Sequence, residues 1–270
     1  MSSRPTDEAL LDVCIEAAKA SGTVLAGLWG KKREITHKGR IDLVTDADRA
    51  AEKECVAILQ RHYPDHSILA EESGASGRSA FRWIIDPLDG TTNYAHNVPH
   101  FAVSIACEFE GEIRVGAIYN PISGELFSAR KGGGAWLNTQ QIHCTATKVA
   151  DEALMATGFP YYIQERPREV LELFSAFARR ARGIRRFGSA ALDLAYVAAG
   201  RFDGFFEIGL RAWDMAAGAL LVEEAGGVIT RMDGSQLDLN QPDVLASGRA
   251  LHPVLLALAG TRPLRFVENQ

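Results

Sequence analysis

Apolar positions recur at helical spacing from Asp7 to about Trp29, where Leu10, Leu11, Cys14, Ala18, Leu25 and Leu28 mark one face. Thr6 is placed to cap that helix, and Asp7 and Glu8 are favourable in its first turn. A second helix is predicted from Asp46 to Tyr63, capped by Thr45, with Ala51, Cys55, Ile58 and Leu59 inward and Pro64-Asp65 ending it. Short strands follow at Ser67–Ala70 and Phe81–Asp86. Phe101–Phe109, Ile113–Tyr119 and Glu125–Ala129 then read as an antiparallel meander with turns at Glu110-Gly111-Glu112 and Asn120–Gly124.

Beyond His143 helix-like and strand-like segments alternate. Helices are predicted at Pro167–Arg182, Ala190–Ala199, Trp213–Ala225 and Pro253–Ala259, and strands at Ile184–Phe187, Gly204–Ile208, Val228–Arg231 and Val244–Ala246. Gly226-Gly227 is a natural helix stop. The pattern calls for layered helix and sheet, an α+β chain with more antiparallel character in its first half. Without a linker, a division into 1–143 and 144–270 is soft, and the two halves are expected to form one compact unit.

Composition narrows the functional classes. Of 270 residues, 47% are apolar and 23% charged, as in an ordinary globular protein. The net charge of −5 argues against a generic nucleic-acid binder but not against a small anionic substrate, since bound cations reverse the local sign. No apolar leader or membrane-length run is present, and Cys14, Cys55, Cys107 and Cys144 are too scattered for a zinc site. A cytoplasmic protein with free thiols and no membrane association is expected.

The most informative stretch is Trp83-Ile84-Ile85-Asp86-Pro87-Leu88-Asp89-Gly90-Thr91-Thr92-Asn93-Tyr94. An apolar strand delivers Asp86 to its end, and a Pro-Leu turn would bring Asp86 and Asp89 onto one concave site. Gly90, Thr91 and Thr92 place backbone amides beside these acids, so a cation site would adjoin an anion site. Glu71-Glu72 ends the preceding strand before the loop Ser73–Gly77, and Asp214 opens an apolar helix. Each of these acids alone also reads structurally: a solvated strand end for the first pair, a dipole-favoured first-turn residue for Asp214.

Taken together, Glu71-Glu72-Ser73, Asp86-Pro87-Leu88-Asp89-Gly90-Thr91-Thr92-Asn93 and Trp213-Asp214-Met215-Ala216-Ala217-Gly218 resemble the inositol monophosphatase family. The likeness takes in Asp42–Asp48, Pro99–Ile105, Gly188–Asp193 and Gly204–Gly209, and it is nearest to the bacterial inositol-1-monophosphatases. It implies a layered α-β-α-β-α sandwich, usually a homodimer, and Li⁺-sensitive, Mg²⁺-dependent hydrolysis of a small phosphomonoester, inositol monophosphate first among them. By the same resemblance Glu71, Asp86 and the Leu88 carbonyl would hold one Mg²⁺. Asp86, Asp89 and Asp214 would hold a second, and a third ion would share Glu71. Amides of Asp89, Gly90 and Thr91 would bind phosphate, Thr91 and Asp48 would orient the attacking water, and Glu207, Ser189, Ala190 and Asp89 would meet the sugar or cyclitol hydroxyls. Lys38 falls near the phosphate entrance or in solvent.

Related phosphatases for 3′-phosphoadenosine 5′-phosphate, histidinol phosphate or fructose 1,6-bisphosphate share the metal motifs and stay open. So does a regulatory role: some bacterial relatives act in transcription complexes, and the five arginines between Arg179 and Arg186 would suit RNA or an acidic partner, or a solvated helix end. His96 and His100, separated by Pro99, read as loop or packing residues, and Trp213 as a wall beside Asp214.

Overall fold

The computed structural model describes residues 4–31, 35–37 and 43–260; Lys38 and Asp42, and the side chain of Thr45, lie outside what it describes. The order of elements is α1 (Asp7–Leu28), β1 (Ile35–His37), β2 (Leu43–Thr45), α2 (Asp46–His62), β3 (Ser67–Ala70), β4 (Gly74–Ser76), β5 (Phe81–Asp89), α3 (Thr91–Ala95), β6 (Ala102–Phe109), β7 (Glu112–Asn120), β8 (Glu125–Arg130), β9 (Ala135–Leu137) and β10 (Gln140–Ile142). It continues with β11 (Leu154–Thr157), α4 (Pro167–Ala178), β12 (Gly183–Arg185), α5 (Ala190–Ala198), β13 (Gly204–Ile208), α6 (Ala212–Glu224), β14 (Gly227–Thr230), β15 (Asp243–Gly248) and α7 (His252–Ala259).

Strands β3–β10 form one eight-stranded sheet, in the order β10-β9-β8-β7-β6-β5-β3-β4, and β11–β15 form a five-stranded sheet, β12-β11-β13-β15-β14. Helices α1 and α2 pack on one face of the larger sheet, α5 and α6 lie between the sheets, and α4 and α7 pair with each other, α7 against the smaller sheet. The result is the α-β-α-β-α sandwich. Its layers are held by apolar side chains: Leu10, Cys14, Cys55, Leu59, Trp83 and Ile85 below the larger sheet, and Ile84, Ile118, Leu194, Leu220 and Phe205 between the sheets. Thr6 caps α1, its Oγ1 accepting from the Ala9 amide at 3.2 Å.

Several local expectations need correcting. The Ser73–Gly77 segment is not a plain loop; Gly74–Ser76 pairs antiparallel with β3 as an edge strand. Helix α4 stops at Ala178 rather than Arg182: the Arg180 amide bonds only three residues back, to the Phe177 carbonyl, and the Arg182 amide is drawn away to the Ala153 carbonyl. Strands β1, β2, β9 and β10, three residues each, are too short to give a periodic signal.

The largest correction concerns Asp86 and Asp89. No turn separates them; β5 runs on through both, against β6. Asp86 lies opposite Ser104 and Asp89 opposite Ala102, so three steps on β5 match two on β6, a β-bulge. In a regular strand residues three apart face opposite ways. The extra residue reverses that: Leu88 joins the core beneath α1 and α2, and both acids turn to the other face.

Candidate active site

Ile84 faces the layer between the sheets, and Asp86, two residues later, continues on that face. Asp214 enters from the first turn of α6, the helix packed there. Carboxylate oxygens of Asp86, Asp89 and Asp214 all lie within 4.8 Å of one another. Asp86 is buried and the other two half-buried. No ion pair from a described Lys, Arg or His reaches any of the three.

The electrostatics follow from that crowding. Burial, then the charges of Glu71, Asp89 and Asp214, push Asp86 far above the usual carboxylate range, although the Leu88 amide donates to its Oδ1 at 2.9 Å. Asp214 is raised by burial and by Asp89, against a bond from the Arg211 amide at 2.6 Å. Asp89 is raised by burial and partly relieved by its donors, Ser189 Oγ at 2.6 Å and the Ala191 amide at 2.7 Å, and by the charge of Arg186. Three hard oxygen donors this close, with no described Lys, Arg or His paired to them, suit a divalent ion such as Mg²⁺.

Glu71 stands beside this group rather than in it. Its charge raises both Asp86 and Asp214, but its carboxylate is not among those within 4.8 Å. The buried Leu88 carbonyl accepts from Thr91 Oγ1 at 3.0 Å. Thr91 Oγ1 also lies 3.2 Å from Oδ1 of Asp48, a buried acid of α2, so its single proton serves one acceptor at a time.

Gly90 adopts φ 92°, and a Cβ there would meet the carbonyls of His100 at 3.1 Å and Gly188 at 3.2 Å. Only glycine makes this bend. It starts α3 immediately after Asp89, so the amides at Gly90 and Thr91 adjoin the acids.

Ser189 caps α5 and Ala190 begins it, the pair facing Asp89 through the Ser189 bond. Glu207 is buried on β13, and burial raises its carboxyl to about 8, with Arg186 opposing. It packs onto Gly158 so tightly that a Cβ there would lie 2.1 Å from its carboxylate oxygens. His96 is exposed on a loop; His100 packs between Phe187 and Tyr196, at 5.0 and 5.9 Å between ring centroids, and burial lowers it to about 4. Trp213 is half-buried, its carbonyl accepting from Ser104 at 3.2 Å.

Sequence reasoning passed over two acids. Asp193 is buried with neither carboxylate oxygen hydrogen-bonded, raised by burial and by Glu207 and Asp89. Its place one turn after Ser189 was the available signal. Glu52 of α2 accepts from the Glu72 amide at 2.9 Å, a contact across 20 residues that no local pattern announces.

The model of the family described as "Inositol monophosphatase family" matches residues 6–263. The chain is 45% identical to an inositol-1-monophosphatase of Synechocystis over 98% of its own length and 93% of that protein's. It is 42% identical to the Nus factor SuhB of Pseudomonas aeruginosa, over 92% and 94% of the two chains. Among solved structures, an inositol monophosphatase from Anabaena superposes with a TM-score of 0.87 at 41% identity, covering 95% of this chain and 97% of that one. The chain belongs to the inositol monophosphatase family, metal-dependent phosphoric monoester hydrolases. No described helix is long and apolar enough to cross a membrane.

Proposed function

We propose that this member of the family hydrolyses inositol monophosphate to inositol and phosphate, using two to three Mg²⁺ ions and a water nucleophile. The observation that carries the reading is the convergence of Asp86, Asp89 and Asp214 within 4.8 Å, with no ion pair to them among the described residues. Glu71, Asp86, the Leu88 carbonyl, Asp89 and Asp214 would hold the ions. Divalent cations bound there would offset the ester's charge, acidify water and stabilise the leaving oxygen.

The chain's own groups do the rest. Asp48 Oδ1 accepts the Thr91 hydroxyl proton, which leaves a Thr91 Oγ lone pair to orient the water toward phosphorus. Amides of Asp89, Gly90 and Thr91 receive the phosphate oxygens beside the acids. Ser189 and the Ala191 amide lock one Asp89 oxygen and so fix its carboxylate. Glu207, Ser189, Ala190 and Asp89 form the wall that meets polyol hydroxyls, and Gly158 keeps the space Glu207 occupies. A cytoplasmic homodimer inhibited by Li⁺ belongs to the same reading.

A panel of phosphate esters compared by kcat/KM in Mg²⁺, with and without Li⁺, tests it. Inositol monophosphate is expected to lead, with activity lost in EDTA and restored by Mg²⁺. Preference for 3′-phosphoadenosine 5′-phosphate, histidinol phosphate or fructose 1,6-bisphosphate would reassign the substrate.

A second reading is a regulatory role in transcription. It is favoured by the likeness to Nus factor SuhB and by the exposure of Arg179, Arg180, Arg182, Arg185 and Arg186, beside α4 and β12. Binding of transcription factors that survives Asp89→Asn would support it.

A further inference from the structure

Glu52 lies one turn after Asp48 on α2, so the two carboxylates leave the same face of the helix. Asp48 reaches Thr91; Glu52, 5% exposed, reaches the other side of the site through the Glu72 amide. The preceding amide, that of Glu71, donates to the Ile85 carbonyl at 3.1 Å, beside Asp86 on β5. Two consecutive N–H groups are therefore pinned, one to the strand carrying Asp86 and one to the helix carrying Asp48. Glu71 is thus held between them by its backbone.

A buried carboxylate is an expensive acceptor for one amide, because the charge must leave water. In return it makes a charge-assisted bond, shorter and stronger than a neutral oxygen would give. That expense falls at the turn that presents Glu71.

We propose that Glu52 is a positioning residue that sets the divalent-cation affinity of the site by fixing the Glu71 backbone. The proposal rests on the reading of Glu71 as a cation ligand. Groups that orient metal ligands typically change affinity about 10–100-fold when removed.

The test is calorimetric titration of the full-length metal-free protein with Mn²⁺, paired with its melting temperature in EDTA. Glu52→Met, close in length but unable to accept from the amide, is expected to weaken Mn²⁺ binding at least tenfold, roughly the lower end of that range. Glu52→Gln, whose carbonyl can still accept, is expected to stay within about threefold of wild type, the amide bond being kept. If Glu52→Met does not fold, Glu52→Asp, with the acceptor withdrawn by one methylene, carries the same expectation. Glu71→Gln is the control for the underlying reading and is expected to weaken binding at least as much. Wild-type affinity in Glu52→Met or Glu52→Asp alongside weakened Glu71→Gln would overturn the role of Glu52 and leave the ligand reading standing. A Glu71→Gln protein that binds Mn²⁺ as wild type does would remove Glu71 as a ligand, and the proposal with it. A Glu52 variant that lowers only the melting temperature would reduce the residue to a structural one, contradicting the proposal.

Discussion

Two groups of buried acid in this molecule are solved in opposite ways. Asp243, at the start of β15, is fully buried, yet Arg231 bonds its Oδ1 at 2.9 and 3.1 Å and the Met232 amide meets its Oδ2 at 2.8 Å. Its charge is answered inside the protein. Asp86, Asp89 and Asp214 are drawn together with amide and hydroxyl donors and no ion pair among the described residues; the Arg186 charge only tempers Asp89, and each acid is pushed above its ordinary range. A buried charge that the fold does not neutralise must be neutralised by a proton or by an ion from solution. The first arrangement is a structural tie; the second reserves a place for something bound.

Asp89→Asn or Asp214→Asn is expected to bring kcat below a tenth of wild type, a barrier change above roughly 1.4 kcal/mol, with the protein still folded. Steady-state kinetics beside circular dichroism checks this, and a variant that keeps more than that tenth would not have lost a ligand. Asp243→Ala should do the reverse. It strands the Arg231 guanidinium and is expected to cost about 2–3 kcal/mol of stability, less than for a wholly buried pair because Arg231 is partly solvated. Denaturant titration measures that, and kcat per folded molecule should be unchanged.

A smaller effect sharpens the contrast. A carboxyl raised in the fold binds its proton more tightly there than in the unfolded chain, so its contribution to stability is whole below about pH 4 and lost as pH rises through the raised value. In EDTA, between pH 5 and 8, wild-type stability is expected to fall with pH by up to about 1.4 kcal/mol per unit for each excess proton. Saturating Mg²⁺ should flatten that slope, and Asp214→Asn should reduce it without metal. A slope unaffected by Mg²⁺ would mean that the raised acids are not the cation's seat.

How much of this the chain announced depends on the range of the contact involved. Helices α1 and α2 and strands β3 and β13 follow from apolar spacing, capping and Pro64, all local signals. The acids of the site were legible as residues, and the resemblance supplied their company. Their geometry was not: a Pro-Leu turn and a bulged strand both unite Asp86 and Asp89, and only the register against Ser104 and Ala102 separates the two. Edge strand β4 was hidden because Gly74-Ala75-Ser76 has loop composition and borrows its order from β3. Glu52 matters through a partner on another element, and Asp193 through burial near Glu207 and Asp89, for which its place one turn after Ser189 was the only local sign.

On the proposed reading, the bulge on β5 and the first turn of α6 build one cation seat. Crystals grown with Mn²⁺ and phosphate, with data collected at the manganese absorption edge, test it most directly. Anomalous density between Asp86, Asp89 and Asp214, with phosphate beside Gly90 and Thr91, is the expected result. Manganese bound elsewhere, with those three side chains turned apart, would contradict it.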